Sequence, residues 1–311
     1  MRRAVPMIPR RVAVRLCLGI LCLAWMPRSA DAGAESEPDV VDLSPNLEVG
    51  LQWRYRCRVT SKMKISMPGE DHEVSMAKEA NIRLEVVAVD DGIALVELQH
   101  EDIRLNVDGP HPGSFDTFKR GPFGEDNLYA RLLRPLLTAR LTLEIDETGV
   151  VRRVRGLHDL LPDDELEARL FEGLFGEDEI IRMFGPIFCL KPGSPEARVG
   201  QSWDVTLRRA KGLGVVQSTH ALSLKRAGPR DAFIDIGGQE SVETPAESSP
   251  TIGESRIRGS AIWDRRQGVL RSMTTESLTR FGPDPRNTEG IEIRGQVTAK
   301  TALRRLDSSS G

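Results

Sequence analysis

From residue 51 onward, Leu51, Trp53, Tyr55, Cys57 and Val59, then Met63, Ile65 and Met67, fall on odd positions, while Arg54, Arg56, Arg58, Lys62 and Lys64 fall on even ones. Side chains alternate between the two faces of a strand but recur every 3.6 residues on a helix. Period two held over this length therefore commits the segment to a β-strand with one buried and one wet face. Both edges of so long a strand need backbone partners, and the chain supplies more of the same pattern. Ile82, Leu84, Val86 and Ala88 alternate, Asp90-Asp91-Gly92 is a hairpin turn, and residues 93 to 98 return. The phase slips before Ile103, Leu105 and Val107, which predicts a bulge between residues 99 and 102.

Leu141, Leu143 and Ile145 form another strand, Asp146 to Gly149 a turn, and residues 150 to 154 its return. Residues 128 to 137 read as a short helix interrupted by Pro135. The period changes centrally: Leu166, Leu170 and Leu174, then Ile180, Ile181 and Phe184, follow helical spacing between Pro162-Asp163 and Gly185-Pro186. After that the first half recurs. Val199-Gly200-Gln201-Ser202-Trp203 repeats the lead Val49-Gly50-Leu51-Gln52-Trp53, and strands follow at 216 to 224, 232 to 236, 269 to 273 and 291 to 303. The expected fold is mainly β: two similar antiparallel curved-sheet modules, residues 47 to 160 and 191 to 307, joined by a helical connector at 161 to 190. Residues 33 to 46 read as a flexible leader.

Arg2, Arg3, Arg10, Arg11 and Arg15 precede an uncharged run at 16 to 26, followed by Pro27 and the triplet Ala30-Asp31-Ala32. This is the layout of a signal peptide, residues 1 to 32, with cleavage near Ala32. The apolar run has about half the ~20 residues that a membrane-spanning helix needs. The expectation is export, to the periplasm or beyond, with no transmembrane segment in the mature chain. Removing the leader takes six Arg and one Asp, so the net charge moves from -3 to -8, the wrong sign for a nucleic-acid binder. Cys57 and Cys189 remain. They are either a disulfide, which would contribute about 4 to 5 kcal/mol through the loop it closes, or two buried thiols.

The five histidines show no H-x-x-x-H or H-E-x-x-H spacing, there is no C-x-x-C, and neither a G-x-S-x-G elbow nor a phosphate-binding glycine loop occurs. The acids at 163 to 167 and 177 to 179 suit first helical turns. The chain is accordingly expected to be non-catalytic and to use neither a metal nor a cofactor. Two irregular stretches stand out, 108 to 126 and 237 to 256. The first spends Phe115, Phe118 and Phe123, which suggests a lid over something apolar, with Trp53 and Trp203 as companion ligand-binding residues. The cationic row Arg54, Arg56, Arg58, Lys62 and Lys64 reads first as cross-strand pairing with Glu79, Glu85 and Glu97. A stripe for an anionic partner is the sharper alternative.

The exported leader, the repeated Gly-x-x-Trp strand openings and the Thr148-Gly149-Val150-Val151 turn ahead of Gly156 resemble a family of bacterial exported β-proteins built as two similar halves, over residues 45 to 305. That family has no assigned activity to carry over. By looser analogy, long curved sheets with an inserted helix resemble half-barrel carriers of lipid. The resulting expectation is a non-catalytic envelope or periplasmic protein binding a hydrophobic ligand, such as a lipid, or a partner segment on a curved sheet. The alternative is an interaction or scaffold module that uses strand edges or its basic strand face.

Overall fold

The computed structural model describes residues 40–110, 112–119, 127–211, 214–245, 251–283 and 293–306. The strands are β1 (Val40–Asp42), β2 (Gln52–Met67), β3 (Glu70–Asp90), β4 (Ile93–Asp108), β5 (Gly113–Asp116), β6 (Leu141–Asp146), β7 (Val151–Arg155), β8 (Glu196–Arg198), β9 (Ser202–Lys211), β10 (Gly214–Ala227), β11 (Asp231–Pro245), β12 (Thr251–Asp264), β13 (Val269–Gly282) and β14 (Arg294–Leu306). The helices are α1 (Leu128–Thr138), α2 (Glu165–Phe175) and α3 (Glu177–Phe184). A single 12-stranded antiparallel sheet runs β7-β6-β4-β3-β2-β14-β13-β12-β11-β10-β9, with β5 beside β4, while β1 and β8 pair separately. The two meanders expected from the alternation thus share one open sheet. They are joined where the last strand pairs the first long one, from Arg294↔Ser66 to Leu306↔Arg54.

Hydrophobicity dictates which face is inside. Trp53, Tyr55, Cys57 and Val59 are buried with Ile82 and Leu84 of β3, Ile103 and Leu105 of β4, Leu222 and Leu224 of β10, Ile234 of β11 and Trp263 of β12. Over them lie Phe171, Phe175, Ile180, Met183, Phe184, Ile187 and Phe188 from α2, α3 and the turn after them. Each such side chain contributes about 1.5–3 kcal/mol on burial. The helices start where polar side chains cap them: Asn127 accepts from the Tyr129 N–H and Asp164 from the Glu167 N–H, both at 2.9 Å. At the C-terminal end of α2, the buried Lys78 ammonium donates to the Leu174 carbonyl at 2.9 Å and sits over the Phe175 ring. This satisfies an end-of-helix carbonyl and docks α2 on the sheet.

The expected bulge is present. Asn81 pairs Asp102 while Ile82 pairs His100, which leaves Glu101 unpaired and keeps both halves of β4 facing the core. Asp91 and Gly92 have φ of 46° and 77°, the requirement of the predicted hairpin turn. Two expectations are corrected. The leader 33 to 46 is not flexible from residue 40 on: β1 pairs β8, and Val41 and Leu43 are buried. The stretch 237 to 256 is not an irregular excursion, since all its described residues belong to β11 and β12.

Neighbouring strands approach most closely at glycines. A Cβ on Gly259 would lie 2.1 Å from the Thr274 carbonyl oxygen, so no larger residue fits that approach. Gly149, with φ +84°, closes the β6–β7 turn, and a Cβ there would meet the Phe188 carbonyl oxygen at 2.3 Å. Gly149→Ala is expected to destabilise by about 1–3 kcal/mol, through backbone strain together with the clash against the connector. A lowered urea midpoint at unchanged slope would register it, whereas an unchanged midpoint would show that the turn relaxes freely.

Candidate functional site

Directly opposed residues of an antiparallel pair share a face, so the register maps the inner face beyond the helices. One row is Val107, Met76, Ser61, Ala299, Ser277 and Ile257. The next is Val74, Met63, Val297, Thr279 and Ser255, and the next contains Ile65, Gly295 and Phe281. Met76 and Val107 still touch the core, whereas Met63, Ile65, Val74, Val297 and Phe281 lie outside it and are half-buried. The sheet therefore continues past α2 and α3 with its apolar face only partly covered among the described residues. Met63, Met67 and Met76 all belong to this stretch; their unbranched, polarisable side chains can repack around different shapes.

A polar island interrupts that face. Glu240 accepts from the Ser218 hydroxyl at 3.1 Å and from the Thr279 hydroxyl at 3.0 Å, and its N–H donates to the Ser255 Oγ at 3.0 Å. Ser218 and Thr279 are buried. The Glu240 charge acts on Arg182 of α3, whose guanidinium is hydrogen-bonded to Glu179. Deeper in, burial holds the Lys78 ammonium below the usual lysine range. Burial also pushes the Cys57 thiol up to about 11, so it is protonated and a poor nucleophile at neutral pH. Among the described residues no group of His, Cys, Asp and Glu could hold a metal ion.

The residues singled out from sequence do not gather in one place. Phe115 is buried in the core opposite Leu105, while Phe118 stacks under the Arg104 guanidinium, which faces the other side of the sheet and pairs Glu79 and Asp116. They form no common lid, because β5 is a strand and its neighbours alternate. Phe123 lies outside the described residues. Trp53 packs edge-on against Phe188 at 6.1 Å, and Trp203 donates its indole N–H to the Leu190 carbonyl at 2.8 Å. The matched tryptophans therefore grip the connector from two strands. Cys57 and Cys189 are free thiols, so the bridge is the reading that falls. What sequence missed is the island: Gly238, Glu240 and Ser255 interrupt the apolar alternation that would have marked their strands.

The cationic row lies on the outer face and is paired. Arg54 meets Glu101 at 2.7 Å, Arg56 and Arg58 meet Glu79 at 3.7 and 3.1 Å, and Lys62 and Lys64 meet Glu73 at 2.6 and 3.7 Å. Glu79 is thus one of the expected partners, whereas Glu97 pairs Arg140 instead.

No protein-family model matches this chain, and no curated protein does. Among solved structures, lipovitellin, from a description of its lipid–protein interactions, aligns over 84% of this chain and 25% of its own, at 11% identity and a TM-score of 0.48. An outer membrane channel of Pseudomonas putida F1 aligns over 84% and 97%, at 11% identity and a TM-score of 0.21. DynF, from the dynemicin biosynthesis pathway of Micromonospora chersina, aligns over 87% and 86%, at 6% identity and a TM-score of 0.17. This chain spans about a quarter of the length of the lipovitellin chain. At such TM-scores none of the three carries weight for function.

Proposed function

We propose that this is an exported, non-catalytic envelope protein that binds an apolar small molecule or acyl chain on the inner face of its sheet, beyond α2 and α3. The observation that carries this reading is the run Met63, Ile65, Met67, Val74, Val297 and Phe281, apolar and half-buried on the same face as the core yet outside it. Contiguous apolar surface of this kind is rarely left without an occupant. The Glu240 island beside it provides the few oriented polar groups that binding sites use to fix a ligand's direction. A non-catalytic role is supported by the protonated Cys57 thiol and by His100, which is sealed between the Phe175 and Phe184 rings. The basic N-terminal segment with its Ala30-Asp31-Ala32 site supports export.

Lipid extraction of the native protein with mass spectrometry, alongside titration of an apolar fluorophore, tests the reading. Saturable fluorophore binding is expected, and Met63→Glu with Val297→Glu should weaken it at least about tenfold, since each buried apolar side chain is worth about 1.5–3 kcal/mol. Thr274→Glu, on the outer face, should leave it unchanged. Non-saturable binding, or binding indifferent to the inner-face charges, would overturn the proposal.

A further inference from the structure

The positive charge left unneutralised on the outer face is not the row that the sequence advertises. Arg256 and Arg258 of β12 and Arg304 of β14 are exposed and make no ion pair or side-chain hydrogen bond among the described residues. Register places them with the row on one continuous surface. Arg258, Glu276, Lys300 and Thr60 lie across four strands in one line, and Arg256, Leu278, Thr298 and Lys62 in the next. The outward positions of β2, β12, β13 and β14 carry eleven Lys and Arg and two carboxylates, Glu254 and Glu276, while Glu73 and Glu79 of β3 and Glu101 of β4 pair the five cations of β2 from the side. This is on a chain whose net charge is -3.

The surface has relief. Thr60, Leu278 and Thr298 line a groove of about 400 Å³ together with Lys62, Arg256, Arg258 and Lys300, with Glu276 as its one acid. Lys62 and Lys300 are each held by one carboxylate, Glu73 and Glu276, both at 2.6 Å. The two arginines stand beside them with open guanidinium forks, whose geometry matches phosphate oxygens bidentately. A small anion would contact only part of so wide a cationic face. A surface of many phosphates meets all of it, and each Lys or Arg brought to such a surface adds to binding.

We infer that this outer face docks on an anionic phospholipid surface, with Arg256 and Arg258 taking headgroup phosphates in the groove. The paired row Arg54 to Lys64 supplies background potential, and the unpaired arginines supply the contacts. The site is separate from the inner apolar face, since the two sets of residues point to opposite sides of the same strands, and it stands or falls independently of ligand binding there.

Co-sedimentation of the purified protein with vesicles tests the inference. Vesicles of phosphatidylcholine containing a minor fraction of phosphatidylglycerol should retain it, pure phosphatidylcholine vesicles should not, and raising salt should release it. Arg256→Glu with Arg258→Glu should lower the partition at least about tenfold, as follows for two reversed charges near an anionic surface. Arg256→Gln with Arg258→Gln should lower it less, with near-ultraviolet circular dichroism and melting unchanged in both variants. Met63→Glu should bind vesicles as the parent does. Equal binding to both kinds of vesicle, or retention by the Glu variant, would overturn the inference. So would binding of inorganic phosphate or dextran sulfate alone with no capture by vesicles, which would reveal a small-anion or linear-polyanion site instead.

Discussion

Asp264→Ala is expected to destabilise the fold by about 3–5 kcal/mol, the usual consequence of removing one partner from a buried ion pair. Asp264 is 1% exposed and Arg305 is 7% exposed, and their contact of 2.7 Å ties the end of β12 to the end of β14. The carboxylate also accepts from the backbone N–H groups of Arg266 and Gln267, so it holds the turn that leads back into β13. Arg305 is less well served: one of its terminal nitrogens is buried with no partner even when the aspartate is present. Taking Asp264 away would leave a guanidinium buried beside Tyr55, whose hydroxyl is already committed to the Leu270 carbonyl at 2.5 Å.

That asymmetry gives the test its control. Arg305→Met leaves Asp264 with two backbone donors and Arg230 at 3.9 Å, so it should cost less than Asp264→Ala. Combining Met with Ala should recover stability over Asp264→Ala alone. Burial is the largest single influence on Asp264 and raises its pKa, but the Arg305 hydrogen bond, the Gln267 N–H, the Arg305 charge and the Arg266 N–H together outweigh it, and the result lies below the usual carboxylate range. The pair's contribution is therefore present above the unfolded carboxylate pKa near 3.9 and disappears as pH falls through the lower folded value. Urea midpoints at constant slope measure all three variants. An Asp264→Ala cost under about 1 kcal/mol would mean that the pair does not help join the two meanders.

Much of this architecture is legible because the inner face is apolar wherever a helix covers it. Trp53 to Val59 and Ile82 to Val86 alternate cleanly because every inward position is filled from α2, α3 or the turn after them. The slip before Ile103 is visible for the same reason: one residue must be left out for Leu105 to stay inside. Legibility ends where burial ends. In β11 and β12 the inward positions include Gly238, Glu240, Ser255 and Gly259, so the stretch reads as a loop although it is strand. Arg256 ends that unread segment and Arg258 lies just beyond it, and no local pattern says that they share a face with Lys62 and Lys300. Their meeting depends on β14 pairing with β2, a contact between the chain's two ends. The five-cation row was conspicuous because it is local, and its neutralisation by Glu73 and Glu101 was not, because Glu101 owes its position to the bulge.

Acid should loosen this protein well before its carboxylates protonate, and His100 is the reason. It lies just before the bulged Glu101 on β4, is 2% exposed, and meets the Phe175 and Phe184 rings edge-on at 5.9 and 6.4 Å. Burial first, and the nearby Lys78 ammonium second, push its pKa down to about 3 from the ordinary 6.5. The folded chain thus keeps the imidazole neutral while the unfolded chain takes up a proton. Stability from this group is complete above pH 6.5, falls as pH drops toward 3, and is level below that. At 1.36 kcal/mol per unit the loss across the window is about 3–5 kcal/mol, comparable with the whole stability of many domains. Because the imidazole contacts α2 and α3, the helices should lose hydrogen-exchange protection before the sheet does, uncovering the inner face they fill. His100→Leu keeps an apolar filler between the two rings and removes the titration. Its unfolding free energy should therefore be nearly flat between pH 6.5 and 4.5, where the parent declines. Parallel declines in parent and variant would show that the acid sensitivity resides in another group.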